Sequence, residues 1–151
     1  NSGTFPRDAI KHAVEDGVPE EDWWPFRNEY TVEPAWSARM AAKWTARIKA
    51  YYRCWNVDDM RMSVNKLLPV ALSVEVTKEL REYKTKNGIV TALSDQPVYG
   101  GHELLIVGYS DSRAAFLVRN SWGTSWSDML GYCWLDYQYV RRYLMDAWSL
   151  E

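Results

Sequence analysis

The two residues whose types could do chemistry together are His102 and Asn120. His102 follows Tyr-Gly-Gly and stands just before the apolar run 103–109; Asn120 ends the next apolar run, 113–119. If these runs pair as a hairpin, both side chains come to one end of the sheet. An asparagine amide oxygen can accept a hydrogen bond from one ring nitrogen of a histidine. That bond fixes the ring and leaves the other nitrogen to act on a nucleophile. Trp122 is placed to cover the bond and keep water off it. Spacing alone leaves an alternative open, a strand-end histidine and a turn asparagine with no joint task. The other histidine, His12, lies beside Lys11 and reads as solvated. Two histidines and two cysteines offer no metal spacing, and nothing calls for a cofactor.

The elements that must position this pair follow from pattern. Residues 4–16 read as a helix, capped by Thr4 or Ser2, with Pro6 in its first turn and an apolar stripe at Ile10, Ala13 and Val14. Gly17 stops it. Pro19 and Pro25 make the next segment a loop. Residues 34–49 predict a second helix, with Trp36, Met40, Lys43, Trp44 and Ile48 on one side. A strand at 50–55 precedes a helix capped by Asn56, its stripe at Met60, Val64 and Leu67. Residues 69–76 alternate as a strand should, and 78–90 form a short helical or looped segment ending at Asn87-Gly88. Strands at 102–110, 114–120 and 131–137 are separated by turn signals. The pattern is α+β: helices first, then an antiparallel sheet, strongly curved or barrel-like.

Composition narrows the function classes. A chain of 151 residues, 47% hydrophobic and 25% charged, can bury one real core. A net charge of -2 gives no reason to expect a nucleic-acid partner. No apolar run is long enough to span a membrane, so none is expected as a partner. Nine tryptophans and ten tyrosines predict a core or cleft built on flat side chains. Cys54 and Cys133 read as free core thiols rather than a disulfide. The chain opens on Asn1 rather than Met, which suggests a processed product or part of something longer.

The block from Gly101 to Tyr132 resembles the histidine-to-asparagine block of the papain-like cysteine peptidases. The match rests on Gly101-His102, Val107-Gly108-Tyr109, Asn120-Ser121-Trp122-Gly123, Trp126 and Gly131-Tyr132. It extends backwards: residues 67–76 are similar to the family strand before the active-site loop, and 82–90 to a Tyr-x-x-Gly-Ile-Tyr segment. Residues 2–26 resemble the helix and aromatic-proline loop after the family's substrate-binding glycine pair. The likeness is greatest to bacterial-type members and weakest over 30–60. It implies one partial papain-like domain over 1–151, with 1–30 part of a helical lobe and 31–151 mainly the β-lobe.

By this resemblance His102 is the catalytic base and Asn120 its orienting partner. Trp122 shields them, supported by Ser121 and Gly123, and Trp126 packs on the leaving-group side. Gly3 and Thr4 stand at the glycine pair and offer backbone to an extended peptide. Phe5 and Pro6 line the pocket for the second residue before the scissile bond, Ser73 lies at its floor, and Gly101 flanks it. Three departures stand out. The family's nucleophilic cysteine lies about 130–150 residues before the histidine and asparagine, which here falls before Asn1. Neither Cys54 nor Cys133 has its sequence context. Thr4 replaces the second glycine of the pair, and Ser127 a glycine after Trp126.

The expected function is therefore a peptidase acting on peptide or protein substrates, its nucleophile outside these residues. The alternative is an inactive relative, a structural or peptide-binding component of a larger assembly such as a virion. In either case Trp23, Trp24 and Phe26 need cover, from a further N-terminal segment or a partner chain over residues 1–30.

Overall fold

A computed structural model of the chain describes residues 3–26, 32–45, 47–93 and 97–151; the suggested cap Ser2 lies outside them. They divide into two compact units, 1–51 and 52–151.

The first unit holds α1 (Pro6–Glu15) and α2 (Trp36–Trp44). Proline opens α1 because its missing N–H would have had no helical partner anyway. Phe5 takes the cap position without a side-chain bond, so Thr4 does not cap. Gly17 ends the helix at φ +81°, and a Cβ there would lie 2.0 Å from the Ala42 carbonyl oxygen. Only glycine allows that approach. The same closeness corrects the reading of α2. Its buried residues are Ala38 and Ala42, whereas Trp36 and Trp44 are 76% and 84% exposed. The helix also stops at Trp44, because Thr45 is extended and its hydroxyl bonds the Val18 carbonyl.

β1 (Tyr51–Arg53) begins on the last residue of the first unit and leads, in the second, to α3 (Val57–Asn65). The Asn56 side chain caps α3, accepting from the Asp59 N–H at 2.9 Å, with Asp58 and Asp59 suited to its positive end. The helix ends before Leu67, which is left-handed at φ +62° and 91% exposed rather than part of the buried stripe. Then come β2 (Val70–Glu75), α4 (Lys78–Arg81), β3 (Ile89–Val90), β4 (Gly101–Ser110), β5 (Ala115–Arg119) and β6 (Tyr132–Asp136). Finally α5 (Tyr137–Tyr143) and β7 (Leu144–Leu150) complete the unit; neither was expected from the sequence.

The strands form one sheet in the order β1-β7-β2-β4-β5-β6-β3. β2 pairs antiparallel with both β7 and β4, and β4 with β5. β3 runs parallel to β6, so the sheet is mixed rather than wholly antiparallel. Val70 to Val74 are all buried, so β2 does not alternate between core and solvent. Leu72, Ile106, Phe116, Val118 and Leu135 fill the core with Met60 of α3 and Tyr139 of α5. Cys54 and Cys133 are free and buried, as the sequence suggested.

Tyr139 is the polar pin of this core. Its hydroxyl donates to the Glu75 carbonyl at 2.8 Å and accepts from the Thr77 N–H at 3.1 Å. Tyr139→Phe strands both backbone groups in a buried setting, and we expect a loss of about 1–3 kcal/mol in urea denaturation. An unchanged midpoint would mean that the two groups find other partners.

Candidate active site

The hairpin of β4 and β5 brings His102 and Asn120 together. The strands pair through Leu105↔Arg119 to Ser110↔Ala115, and the Ala114 N–H closes the connecting turn on the Asp111 carbonyl at 3.1 Å. His102 lies at the start of β4, and Asn120 follows the last residue of β5. His102 Nε2 is 2.8 Å from Asn120 Oδ1. The same oxygen accepts the Ser121 backbone N–H at 2.8 Å. A backbone N–H can only donate, so the amide atom facing it is the oxygen. Nε2 must then carry the ring proton and donate it. In the neutral ring Nδ1 is left with a free lone pair, which is the base.

Trp122 covers the pair. Its ring lies 4.3 Å from the imidazole, centre to centre, at 28°. Trp126 meets Trp122 edge-on at 5.5 Å and Tyr83 at 5.4 Å, and its indole N–H donates to the Arg81 carbonyl at 3.3 Å. Asn120 is buried, and its Nδ2 has no acceptor among the described residues. Burial pushes the His102 imidazole below its ordinary value, and the bond to Asn120 partly offsets this. The ring is therefore held neutral, with its basic nitrogen unprotonated at neutral pH.

The loop from Asn120 to Gly131 is fastened at several points. The Asn120 N–H donates to the Gly131 carbonyl at 2.9 Å. Gly123 and Gly131 take φ of +90° and +89°, and a Cβ on Gly131 would lie 3.1 Å from the Gly123 carbonyl oxygen. Ser127 is a residue whose task the sequence did not show. Its hydroxyl donates to the Tyr132 carbonyl at 2.7 Å and accepts from the Gly131 and Met129 N–H groups at 3.1 and 3.3 Å. The only signal was its standing where a glycine was expected.

The remaining candidates fall in two places. Ser73 and Gly101 belong to the same sheet as His102, Ser73 opposite Glu103 and Gly101 opposite Glu75. Gly3, Thr4, Phe5 and Pro6 lie in the first unit, at the start of α1. The two thiols are unsuited to act as nucleophiles: burial raises both, Cys133 to about 12. No group of metal-ligating side chains occurs among the described residues. His12 is exposed, 3.1 Å from an Asp16 carboxylate oxygen.

The model of the papain family cysteine proteases matches residues 1–146. The chain belongs to this family. It is 27% identical over 164 residues to an uncharacterized peptidase C1-like protein of Acanthamoeba polyphaga mimivirus, covering 100% of this chain and 52% of that protein. A thiol protease aleurain-like of Arabidopsis thaliana is 35% identical over 75 residues, covering 47% of this chain and 20% of its own length. Among solved structures, xylellain, a cysteine protease from Xylella fastidiosa, superposes with a TM-score of 0.83 at 24% identity, over 99% of this chain and 62% of that one. Bromelain from Ananas comosus gives 0.67 at 19%, over 98% and 69%. The α+β fold is thus papain-like, and this papain-family chain spans about half the length of its viral relative.

The imidazole shift sets a pH dependence. The folded chain binds the His102 proton less tightly than the unfolded chain does. The stability carried by the neutral ring is present above the ordinary value of 6.5 and declines as pH falls through it, until the folded site itself protonates. Proton NMR titration should place His102 below 6.5, and Asn120→Ala, which removes the opposing bond, should lower it further. A His102 value above 6.5 in the unaltered chain would contradict the burial argument.

Proposed function

We propose that this chain carries the base half of a Cys-His-Asn peptidase, with the nucleophilic cysteine supplied from outside these 151 residues. The observation that carries the reading is the His102 ring, held by Asn120 through Nε2 with Nδ1 left as acceptor, under the Trp122 indole. A structural strand end has no need of that arrangement.

In the proposed reaction Nδ1 takes the thiol proton, giving a thiolate beside an imidazolium. The thiolate attacks the carbonyl carbon of the scissile bond. The tetrahedral intermediate collapses as the imidazolium protonates the leaving amine, and a thioester remains. Neutral His102 then takes a proton from water; the hydroxide attacks the thioester, releasing the acid and restoring the thiol. Asn120 keeps the ring in register and stabilises its charged form. Base catalysis of this kind supplies about 10²–10⁴-fold in rate.

Substrate binding is assigned to Gly3, Thr4, Phe5 and Pro6 of the first unit and to Ser73 and Gly101 of the second. The remaining segment, or a partner chain, is also assigned to cover residues 1–30. Trp23 and Phe26 are 53% and 82% exposed, as is Phe5 at 77%, whereas Trp24 is already half-buried; each large apolar side chain is worth about 1.5–3 kcal/mol when fully buried. A second reading, a peptide-binding relative without catalysis, draws on the two unreactive thiols and on Thr4 in the glycine pair.

The test compares the 151-residue chain with the product of its parent reading frame. The short chain should not hydrolyse peptides. The longer product should, through a cysteine upstream of Asn1, and His102→Ala should lower its kcat/KM by about 10²-fold or more. Turnover by the short chain that a thiol alkylating agent abolishes would overturn the assignment and point to Cys54 or Cys133. A parent frame without an upstream cysteine would favour the second reading.

A further inference from the structure

We infer that Glu103 makes the side-chain pocket beside His102 select a cationic residue, lysine or arginine, at the second position before the scissile bond. The inference rests on the peptidase reading above. Glu103 follows His102 on β4 and stands opposite Ser73 of β2 in the antiparallel register. Side chains two apart on a strand share a face, so Gly101 and Glu103 lie together on one side of β4. The Ser73 hydroxyl, itself buried, donates to the Glu103 carboxylate. Gly101 is flush against Met145 of β7: a Cβ there would lie 2.9 Å from the Met145 sulfur. Two residues assigned to the pocket thus meet a carboxylate and a thioether that no motif had singled out.

The charge balance of this group gives the inference its direction. A second carboxylate, Asp146, faces Ser73 from β7. It is already answered by Arg53 at 3.2 Å and by the Trp148 indole N–H at 2.8 Å. Glu103 has a hydroxyl but no cation within ion-pair distance among the described residues. Burial and nearby Asp146 hold its carboxyl above the usual range, while Ser73 draws it down. Glu103 is exposed as a residue, but its carboxylate is held against the buried Ser73 hydroxyl without a counter-charge. Such a group gains from a cation brought by the substrate, and Met145 with the flush Gly101 offers an apolar wall for the methylenes of a long basic side chain. A neutral apolar residue at that position would instead leave Glu103 unanswered.

The test uses the parent protein carrying its cysteine and paired peptides differing only at that second position, arginine against its neutral isostere citrulline. The arginine peptide should be favoured by about tenfold or more in kcat/KM. Glu103→Gln should collapse the ratio toward one, and Glu82→Gln, an exposed carboxylate of another element, should leave it intact. Cleavage of both peptides at equal rates by the unaltered protein would overturn the inference and leave the peptidase reading standing. So would a ratio that survives Glu103→Gln. Failure to cleave any peptide despite an intact upstream cysteine would overturn the reading and the inference together.

Discussion

The site depends on a single acceptor atom, Asn120 Oδ1, which takes two donors. The Ser121 N–H decides which end of the amide faces inward, and that end decides which imidazole nitrogen holds the proton. A flipped amide would set N–H groups against the Ser121 N–H and lose the bond. The identity of the basic nitrogen is therefore fixed by backbone conformation at residues 120–121, not by the histidine. This explains how firmly the following loop is held. Ser127 ties three backbone groups, and Gly123 and Gly131 approach each other where a side chain would intrude.

The sheet behind the site keeps those two residues in place. β4 is the middle strand, with β2, β7 and β1 beyond it on one side and β5, β6 and β3 on the other. His102 is the second residue of that strand, and the residues beyond it, Leu104 and Ile106, are buried against the core. The strand end cannot slide without moving Leu104 and Ile106 out of the core, because a shift of one residue exchanges the faces. Tyr139 anchors the neighbouring strand by bonding the end of β2 across the core. Core packing and site geometry are thus coupled through strand register.

How much could be read beforehand depended on how local the causes were. The β4–β5 hairpin and the Asn120–Tyr132 loop were legible because turn residues, glycines and apolar runs act over a few positions. The Asn56 cap and the stop at Gly17 were legible for the same reason. The tryptophans of α2 misled, since large apolar side chains predict burial but Gly17 and Ala42 need a backbone approach that only small residues permit. Leu67 misled because helical spacing continued past the helix end. α5 and β7 were missed: the short helix at 137–143 passes straight into the strand at Leu144 with no glycine or proline to mark the change. β3 pairs with β6 in parallel through Ile89↔Trp134 and Val90↔Leu135, a long-range match without a turn signal. The geometry of Ser127 and Glu103 depends on what each meets across the loop or sheet, which no spacing reveals.

His102 and Glu103 are neighbours whose proton affinities move in opposite directions, chiefly through burial, with Asp146 adding to the rise at Glu103. Burial disfavours the charged form of either group, which lowers the imidazole and raises the carboxyl. Each has a single uncharged partner, the Asn120 carbonyl or the Ser73 hydroxyl, which offsets only part of that cost. The start of β4 is therefore a place where charge is costly until an opposite charge arrives. For a resting scaffold this is a loss without return. In the proposed peptidase it is an advantage, because the imidazolium gains its counter-ion when the thiolate forms and the carboxylate gains one when a basic side chain binds. The imidazolium pair forms in a half-buried setting, where attraction between opposite charges is stronger than in water, and the Glu103 pair forms at a more exposed rim.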